Sequence, residues 1–501
     1  MNALGKDFRH EYVHTFSQMQ LLPYERFFRH GTEFCGLEHI DKRLMGFRKL
    51  LKCADEVLID IFPSAWCVQF SLYCEFIRRT KIHMKAVLGE MENSPMKAEP
   101  NVHIANIVQS LKVFLAFENE FKSSIEEKLS LLERLDDVEE GRYSDIMLKK
   151  ECDSMSDAFD VYLTPYVMLE RQQLNEMIQG LLREEDEEDV IKAKSDEEFY
   201  ESDKQPYESA QRMFEYIKTS VKRCSALSNG VLLVSLSKEY RIALQEYCQS
   251  LKLRCPIPVA IDKDTNKALS YGDISMAKEN VLFRLITTAE YCADILPQLE
   301  GVLKNAVKNC HEDEIMFEPQ VNAFYDLVSY SLSILVLNVT NDFDSAFRSM
   351  RHNNIWAKEE YQVEDCSDYV REICGDLKAM ICRKREFLSP AHFSIVCNKV
   401  AIFVLENFLD CLYKCKRKIS VTSGSQLLLD CQSIKFCLLE LPTYKLNVSE
   451  KGAKLLAYET VVVKHTTHIE TICKLLCTDE EYMDDTVKAL WPEATPEEVE
   501  A

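Results

Sequence analysis

Residues 282–303 read LFRLITTAEYCADILPQLEGVL, and the spacing of their apolar side chains decides the fold class of the chain. The spacings alternate between three and four residues, at Leu282, Leu285, Ala289, Cys292, Leu296, Leu299 and Leu303. An α-helix brings side chains at this spacing onto one face, here over three heptads. Pro297 lies within the stripe and has no N–H to donate, which predicts a kink or a restart of the helix one turn later.

Helical signals of the same kind continue toward the C-terminus. Ser389 and Pro390 fit the N-cap and first position of a helix, because the serine side chain can accept from a free N–H and proline needs no partner there. Ser423 and Gln426 fit a capping box, and Pro442 is expected to end the helix that follows. That helix would bury the stripe Leu427, Cys431, Ile434, Leu438 and Leu441.

Composition favours the same fold class. The chain has only 13 Gly and 14 Pro among its 501 residues, and turns and strand bulges depend on these two residue types. Hydrophobic residues make up 47% of the chain, enough for a large core. We therefore predict an all-α fold, an elongated rod of consecutive helical bundles.

The clearest compositional boundary is acidic. Residues 184–203 contain eleven acids and two lysines, and such a segment repels itself and lacks apolar side chains to bury. We predict a solvated linker there. The resulting order is an N-terminal helical bundle region (1–182), the acidic linker (183–208), a central helical bundle (209–418), a C-terminal helical region (419–478) and an acidic tail (479–501).

Charge and hydropathy exclude several function classes. A net charge of −22 repels phosphate, which argues against a nucleic-acid surface. The first residues contain no apolar stretch of a secretory signal, and apolar runs such as Leu327–Leu337 are shorter than a membrane-spanning helix needs. We expect a cytoplasmic chain that does not bind nucleic acid.

Motifs for catalysis and cofactors are scarce. The 20 cysteines include no CxxC pair, so we interpret them as small core side chains rather than as metal or redox ligands. The sequence has no Gly-rich nucleotide loop and no GxSxG elbow. We predict that the chain is not an enzyme and holds no cofactor.

One catalytic pattern remains as an alternative. His10, Glu11 and His14 fit H-E-x-x-H, in which two histidines one helical turn apart hold zinc and the glutamate acts as a base. A third ligand would have to come from Glu33 or Glu38, in a segment where glycines disfavour a continuous helix. We interpret the histidines as surface residues and keep a zinc-dependent peptidase as the alternative.

A basic cluster stands out in so acidic a chain. It consists of Lys414, Lys416, Arg417 and Lys418, at the end of the helix that starts near Ser389. Cations at a helix C-terminus complement the helix dipole, which is the simpler interpretation. The cluster is also our candidate contact for an acidic lipid or an acidic partner.

Several stretches resemble, in the same order, the vacuolar protein sorting-associated protein 53 family. The hallmark stretch is SVTSGSQLLLDCQSIKFCLLELP (Ser420–Pro442), with its QLLLD-type and LLxLP-type sequences. The other matching stretches are IDKR (Ile40–Arg43), FPSAWC (Phe62–Cys67), FLAFENEF (Phe114–Phe121), FEYIKTSVKRCSALSNG (Phe214–Gly230) and TAEYC (Thr288–Cys292). The similarity covers most of residues 1–470, without the N-terminal coiled-coil region with which family members usually begin.

The resemblance implies a function that composition alone cannot supply. Members of this family are subunits of the GARP tethering complex and of its endosomal relative EARP. The resemblance therefore implies a helical rod of the multisubunit-tethering type, which acts in retrograde transport from endosomes to the trans-Golgi network. The implied partners are sister tethering-complex subunits, SNARE proteins and small GTPases of the Rab and Arf-like groups, with peripheral association at trans-Golgi network and endosome membranes. A general helical scaffold unrelated to membrane traffic is the remaining alternative.

Overall fold

The structure, a computed structural model, describes most of the chain between residues 6 and 490. The description leaves out residues 59–60, 64–65, 67, 94–99, 134–153, 194–203, 228–229, 262–267, 273, 308–311, 342, 353–355, 357–362, 364, 416–418, 445–455 and 479–481.

Helices dominate the part of the chain that is described. The first eight are α1 (Lys6–Gln20), α2 (Leu22–Phe28), α3 (Ile40–Val57), α4 (Val68–Asn93), α5 (Pro100–Glu133), α6 (Thr164–Lys192), α7 (Glu208–Ser225) and α8 (Val231–Leu253). The others are α9 (Met276–Val307), α10 (Glu318–Asn341), α11 (Asp344–His352), α12 (Asp368–Phe387), α13 (Pro390–Tyr413), α14 (Val421–Glu440), α15 (Leu456–Leu476) and α16 (Met483–Leu490). The short strands β1 (Ala260–Ile261) and β2 (Ala268–Ser270) pair antiparallel, with Ala260 opposite Ser270. The all-α prediction is confirmed.

The chain divides into two compact units. The first comprises Met1–Leu181, Gln211–Gln245 and Ile295–Gln320, and the second comprises Leu182–Ala210, Glu246–Asp294 and Val321–Ala501. Each unit combines three separated stretches, whereas the sequence predicted domains that follow one another along the chain.

The core of the first unit contains a cluster of aromatic rings from α3, α4 and α5. Phe47 stacks on Phe76 with ring centroids 4.0 Å apart, and Phe117 meets both rings edge-on. Tyr73 stacks on Phe121 at 3.6 Å. Phe117 and Phe121 belong to the FLAFENEF stretch, so that stretch contributes directly to the core.

Arg43, the last residue of the IDKR stretch, is fully buried in the first unit. Its guanidinium donates to the carbonyl oxygens of Phe28 and Cys35, both at 2.8 Å, and to the Tyr24 hydroxyl at 3.1 Å. The carbonyl of Phe28 belongs to the last turn of α2, where helical carbonyls lack intrahelical partners. Arg43 therefore caps α2 and fixes the loop that leads to α3.

The stripe that decided the fold class is buried, from Leu282 to Leu303. Helix α9 nevertheless continues through Pro297 without a restart, so that part of the prediction is wrong. Proline costs the helix one backbone hydrogen bond. Burial of the apolar stripe on both sides of Pro297, including Leu296 and Leu299, offsets this loss.

The predicted acidic linker is wrong for residues 184–192, which form the last turns of α6. Glu185 is buried and accepts from the backbone N–H of Ser209 at 2.7 Å and from Arg254 at 3.1 Å. Asp189, one turn on, accepts from the hydroxyl of Tyr207 at 2.7 Å. These hydrogen bonds to residues distant in sequence offset the repulsion expected among the acidic side chains. Residues 194–203 of the acidic run lie outside the described chain.

Two predicted boundaries near the C-terminus also change. The N-cap of α14 is Ser420, whose hydroxyl accepts from the N–H of Ser423, so the capping box starting at Ser423 is wrong. Residues 483–490 of the predicted tail form α16. The predicted N-cap at Ser389 is confirmed, since its side chain accepts from the N–H of His392.

No single helix within the described ranges is both long and apolar enough to cross a membrane, and one bent pair, 312–339 with 344–351, satisfies length and composition only when taken together.

Candidate partner-binding surfaces

The hallmark stretch forms α14, and the buried side of this helix contacts the start of α12. Asp430 is fully buried and accepts from the backbone N–H of Ser367 at 2.9 Å. The hydroxyls of Ser367 and Tyr369 donate to its other oxygen, each at 2.7 Å. Since Ser367 is the N-cap residue of α12, Asp430 supplies an acceptor where the helix leaves N–H groups unpaired.

The far end of α14 is held by the far end of α12. Arg385 donates to the backbone oxygens of Leu441 and Pro442 at 3.0 Å and of Tyr444 at 2.6 Å. Leu441 and Pro442 end the LLxLP-type sequence, at the point where the helix stops and its last carbonyls lack intrahelical partners. The two helices are thus clamped to each other at both ends.

Between the clamps, α12 and α14 line an open groove of about 930 Å³. Val370 and Gly375 contribute from α12, and Leu429, Phe436 and Leu439 from α14. Phe436 is 78% exposed, which is unusual for so large an apolar side chain. Lys378 pairs with Glu440 across the groove at 3.0 Å. The groove combines an apolar surface with a charged edge, as partner-binding grooves do.

Two cysteines meet in this groove. The thiol of Cys437 donates to the backbone oxygen of Cys374, with 3.9 Å between Sγ and the oxygen, and the two side chains interact electrostatically. The interaction with the Cys374 side chain, helped by the nearby charge of Lys378, lowers the pKa of Cys437 although burial opposes this. The same contact, together with burial, raises the pKa of Cys374.

The predicted basic cluster is only partly described. Lys414 is the C-cap of α13, and its ammonium pairs with Asp410 at 2.6 Å. That position agrees with the interpretation as a cation at a helix C-terminus. Lys416, Arg417 and Lys418 lie outside the described residues, so a contact with acidic lipid or an acidic partner stays a prediction.

The zinc pattern falls on α1. His10, Glu11 and His14 are exposed, and the rings of the two histidines are stacked 6.5 Å apart. His14 Nε2 lies 2.9 Å from the side-chain nitrogen of Gln18. No group of three or more His, Cys, Asp and Glu side chains positioned to hold a metal ion occurs among the residues whose placement is described. The described residues therefore offer no third ligand to this pair.

Helix α1 instead presents an apolar stripe to solvent. Phe8, Tyr12, Met19 and Leu22, the last just beyond the helix, are 45%, 39%, 62% and 47% exposed. With the exposed Thr15 between them, their spacing is four, three, four and three residues. The opposite side of α1 carries Val13 and Ser17, which are buried. Helix α1 therefore has a core-facing side and a second apolar side of the kind that pairs with another helix.

The sequence did not lead us to predict either the groove between α12 and α14 or the apolar stripe of α1. The spacing of the α1 stripe could have been read from the sequence, but the histidine pattern on the same helix drew the interpretation toward zinc. Phe436 lies off the buried stripe of α14, and an apolar residue off the stripe is the signal that could have marked it.

These features define an all-α protein with exposed apolar helix surfaces, and family comparison identifies its class. A model described as "Vps53, N-terminal" matches residues 1–186, and one described as "Vacuolar protein sorting-associated protein 53 C-terminus" matches residues 425–490. Together they cover about half of the chain. The chain belongs to the Vps53 family, as the resemblance implied, and the C-terminal match extends into the predicted acidic tail.

Curated relatives agree along nearly the whole chain. Vacuolar protein sorting-associated protein 53 A of Arabidopsis thaliana is 24% identical over 547 positions, covering 99% of this chain and 62% of the relative. The Caenorhabditis elegans homolog is 24% identical and covers 97% of this chain and 58% of the relative. The Saccharomyces cerevisiae protein is 24% identical and covers 86% and 51%. The chain thus spans between 51% and 62% of the length of these relatives.

Among solved structures, the crystal structure of the C-terminal domain of the exocyst subunit Sec6p is similar to this chain with a TM-score of 0.45 and 12% sequence identity. The similarity covers 68% of this chain and 89% of the Sec6p domain.

Proposed function

We propose that this chain is a non-enzymatic subunit of a vesicle-tethering complex of the GARP or EARP type, acting in retrograde transport from endosomes to the trans-Golgi network. Family membership supports the proposal, since the relatives carry vacuolar protein sorting in their names. The observation that carries it is the exposed stripe of Phe8, Tyr12 and Met19 on α1 with Leu22 at the start of α2, because we expect a tethering subunit to act by pairing helices with its sister subunits.

The stripe fits an amphipathic helix of a sister subunit. Its alternating spacing of four and three residues matches the seam of a helical pair, where side chains of one helix fill the spaces of the other. Aromatic and methionine side chains are enriched in the centres of protein interfaces, and three of the four residues belong to these types. Because these side chains are already about half covered, burial of the rest would contribute roughly 0.7–1.5 kcal/mol each.

The other proposed partners are SNARE proteins and small GTPases of the Rab and Arf-like groups. We propose that they meet the chain at the cytoplasmic face of trans-Golgi network and endosome membranes, with peripheral association. The cluster Lys414, Lys416, Arg417 and Lys418 is the proposed contact for acidic lipid or an acidic partner. Neutralising all four should weaken membrane recruitment while leaving the thermal unfolding midpoint unchanged, and unchanged recruitment of the folded variant would reject this contact.

The function is tested by native affinity purification of the tagged chain, with partners identified by mass spectrometry. Recovery of the sister tethering subunits is the expected result. A stable set of partners without any trafficking protein would favour a general helical scaffold instead. The zinc peptidase requires stoichiometric zinc that is lost on substitution of His14, and metal analysis of the purified chain tests this separately.

A further inference from the structure

The groove between α12 and α14 contains a pair of thiols arranged for reaction with each other. Cys374 and Cys437 come from different helices and line the same groove, and the Cys437 thiol donates to the backbone oxygen of Cys374 at 3.9 Å. Cys374 is half-buried, whereas Cys437 is buried except where it contributes to the lining of the groove. Cys292 of the same unit, by comparison, is fully buried and does not line this groove.

We propose that Cys374 and Cys437 are an oxidative modification site, which forms a reversible disulfide between α12 and α14 on reaction with a hydroperoxide. The inference is independent of the proposed function, since it depends on the two thiols and on access through the groove.

The reaction proceeds in two balanced steps. The Cys437 thiolate attacks one oxygen of hydrogen peroxide, the O–O bond breaks, and the displaced oxygen takes a proton and leaves as water. The Cys374 thiol then attacks the sulfur of the Cys437 sulfenic acid, the S–S bond forms, and the hydroxyl leaves as a second water with the thiol proton. Two thiols lose two electrons, and the peroxide gains them.

The surroundings assign the roles of the two sulfurs. The thiolate is the reactive form, and it is favoured at Cys437 by the interaction with the Cys374 side chain and by the charge of Lys378. Cys374 is the resolving thiol, because it lies half-buried on the other helix of the groove, next to the Cys437 sulfur. The disulfide would join the two helices beside Phe436, between the clamps made by Asp430 and Arg385. It would therefore change the shape of the groove while the two ends of the helix pair stay in place.

The test uses the purified full chain and hydrogen peroxide. After a short exposure, free thiols are alkylated and the chain is digested without reductant. Mass spectrometry should find a linked peptide pair containing Cys374 and Cys437, with the loss of two alkylatable thiols, and dithiothreitol should restore both. If both cysteines remain fully alkylatable while other cysteines oxidise, the proposal is wrong.

Three variants make the assignment specific. Cys437→Ser should abolish the linked pair. Cys374→Ser should also abolish it and should leave a sulfenic acid at position 437 that dimedone traps. Cys366→Ser is the matched control, because Cys366 lines the same groove, and it should retain the linked pair. The assignment would be wrong if linked peptides contained Cys366 as often as Cys374. It would also be wrong if the Cys374→Ser chain gave no dimedone adduct at position 437. The unsubstituted chain tests the disulfide even if a variant fails to fold.

Discussion

The carboxylate of Asp430 accepts the backbone N–H of Ser367 at 2.9 Å, and through this bond the hallmark helix α14 caps the beginning of α12. The two residues are separated by 63 positions in the chain. The acid of the QLLLD-type sequence therefore has a structural role, since it holds two helices in register from a fully buried position.

Asp430→Ala should destabilise the chain strongly. The substitution leaves the Ser367 N–H and hydroxyl and the Tyr369 hydroxyl without their acceptor, at a cost of about 3 kcal/mol in the free energy of unfolding. Hydrogen exchange at the first turn of α12 should accelerate. Asp410→Ala is the control, because Asp410 forms only an exposed pair with Lys414 and should cost less than about 1 kcal/mol. Equal effects of the two substitutions would contradict the capping role.

Two glycines of the same region should respond in opposite directions. A Cβ at Gly424 would lie 2.8 Å from the backbone oxygen of Leu476, where α14 and α15 approach closely. Gly424→Ala should therefore cost about 1–3 kcal/mol. A Cβ at Gly375, inside α12, meets no atom within 4 Å, so Gly375→Ala should stabilise the helix by about 0.5–1 kcal/mol. Thermal unfolding of both variants checks this, and a stable Gly424→Ala chain would show that the contact is not close.

Acid should destabilise the first unit through His83. Burial, with the charges of Arg43 and Arg79, lowers the pKa of this histidine to about 4. The folded chain therefore favours the neutral form of the His83 side chain. The resulting contribution to the free energy of unfolding is complete above the ordinary histidine pKa of about 6.5, and it is lost as the pH falls from there toward 4. The loss reaches about 3 kcal/mol.

His83→Phe isolates this contribution, since the ring also stacks on Tyr24 and phenylalanine preserves that contact. Unfolding midpoints measured between pH 7 and pH 4 should fall less steeply in the variant than in the unsubstituted chain. Parallel curves for the two proteins would show that His83 does not cause the acid sensitivity.

Local patterns predicted the helices well because they depend on residues close in sequence. The stripe from Leu282 to Leu303 is buried, and Ser389 caps α13 as expected. Pro442 ends α14 as its missing N–H requires. These helices could therefore be predicted without any knowledge of tertiary contacts.

Long-range contacts explain what the sequence could not predict. The acidic run was interpreted as a linker because its partners, Ser209 and Arg254, lie 24 and 69 residues away from Glu185. The groove beside Phe436 depends in the same way on the pairing of α12 with α14. The α1 stripe is different, since its spacing is local and was available from the sequence.

The most direct test of the proposed function is co-purification of the sister tethering subunits with a double variant of the α1 stripe. Phe8→Ser with Met19→Ser removes two exposed apolar side chains that the fold does not need. The matched control, Val57→Ser with Ile82→Ser, removes two exposed apolar side chains elsewhere in the same unit. We predict that the unsubstituted chain and the control retain the sister subunits and that the stripe variant loses them. Full retention by a folded stripe variant would contradict the assignment of α1 as the assembly surface.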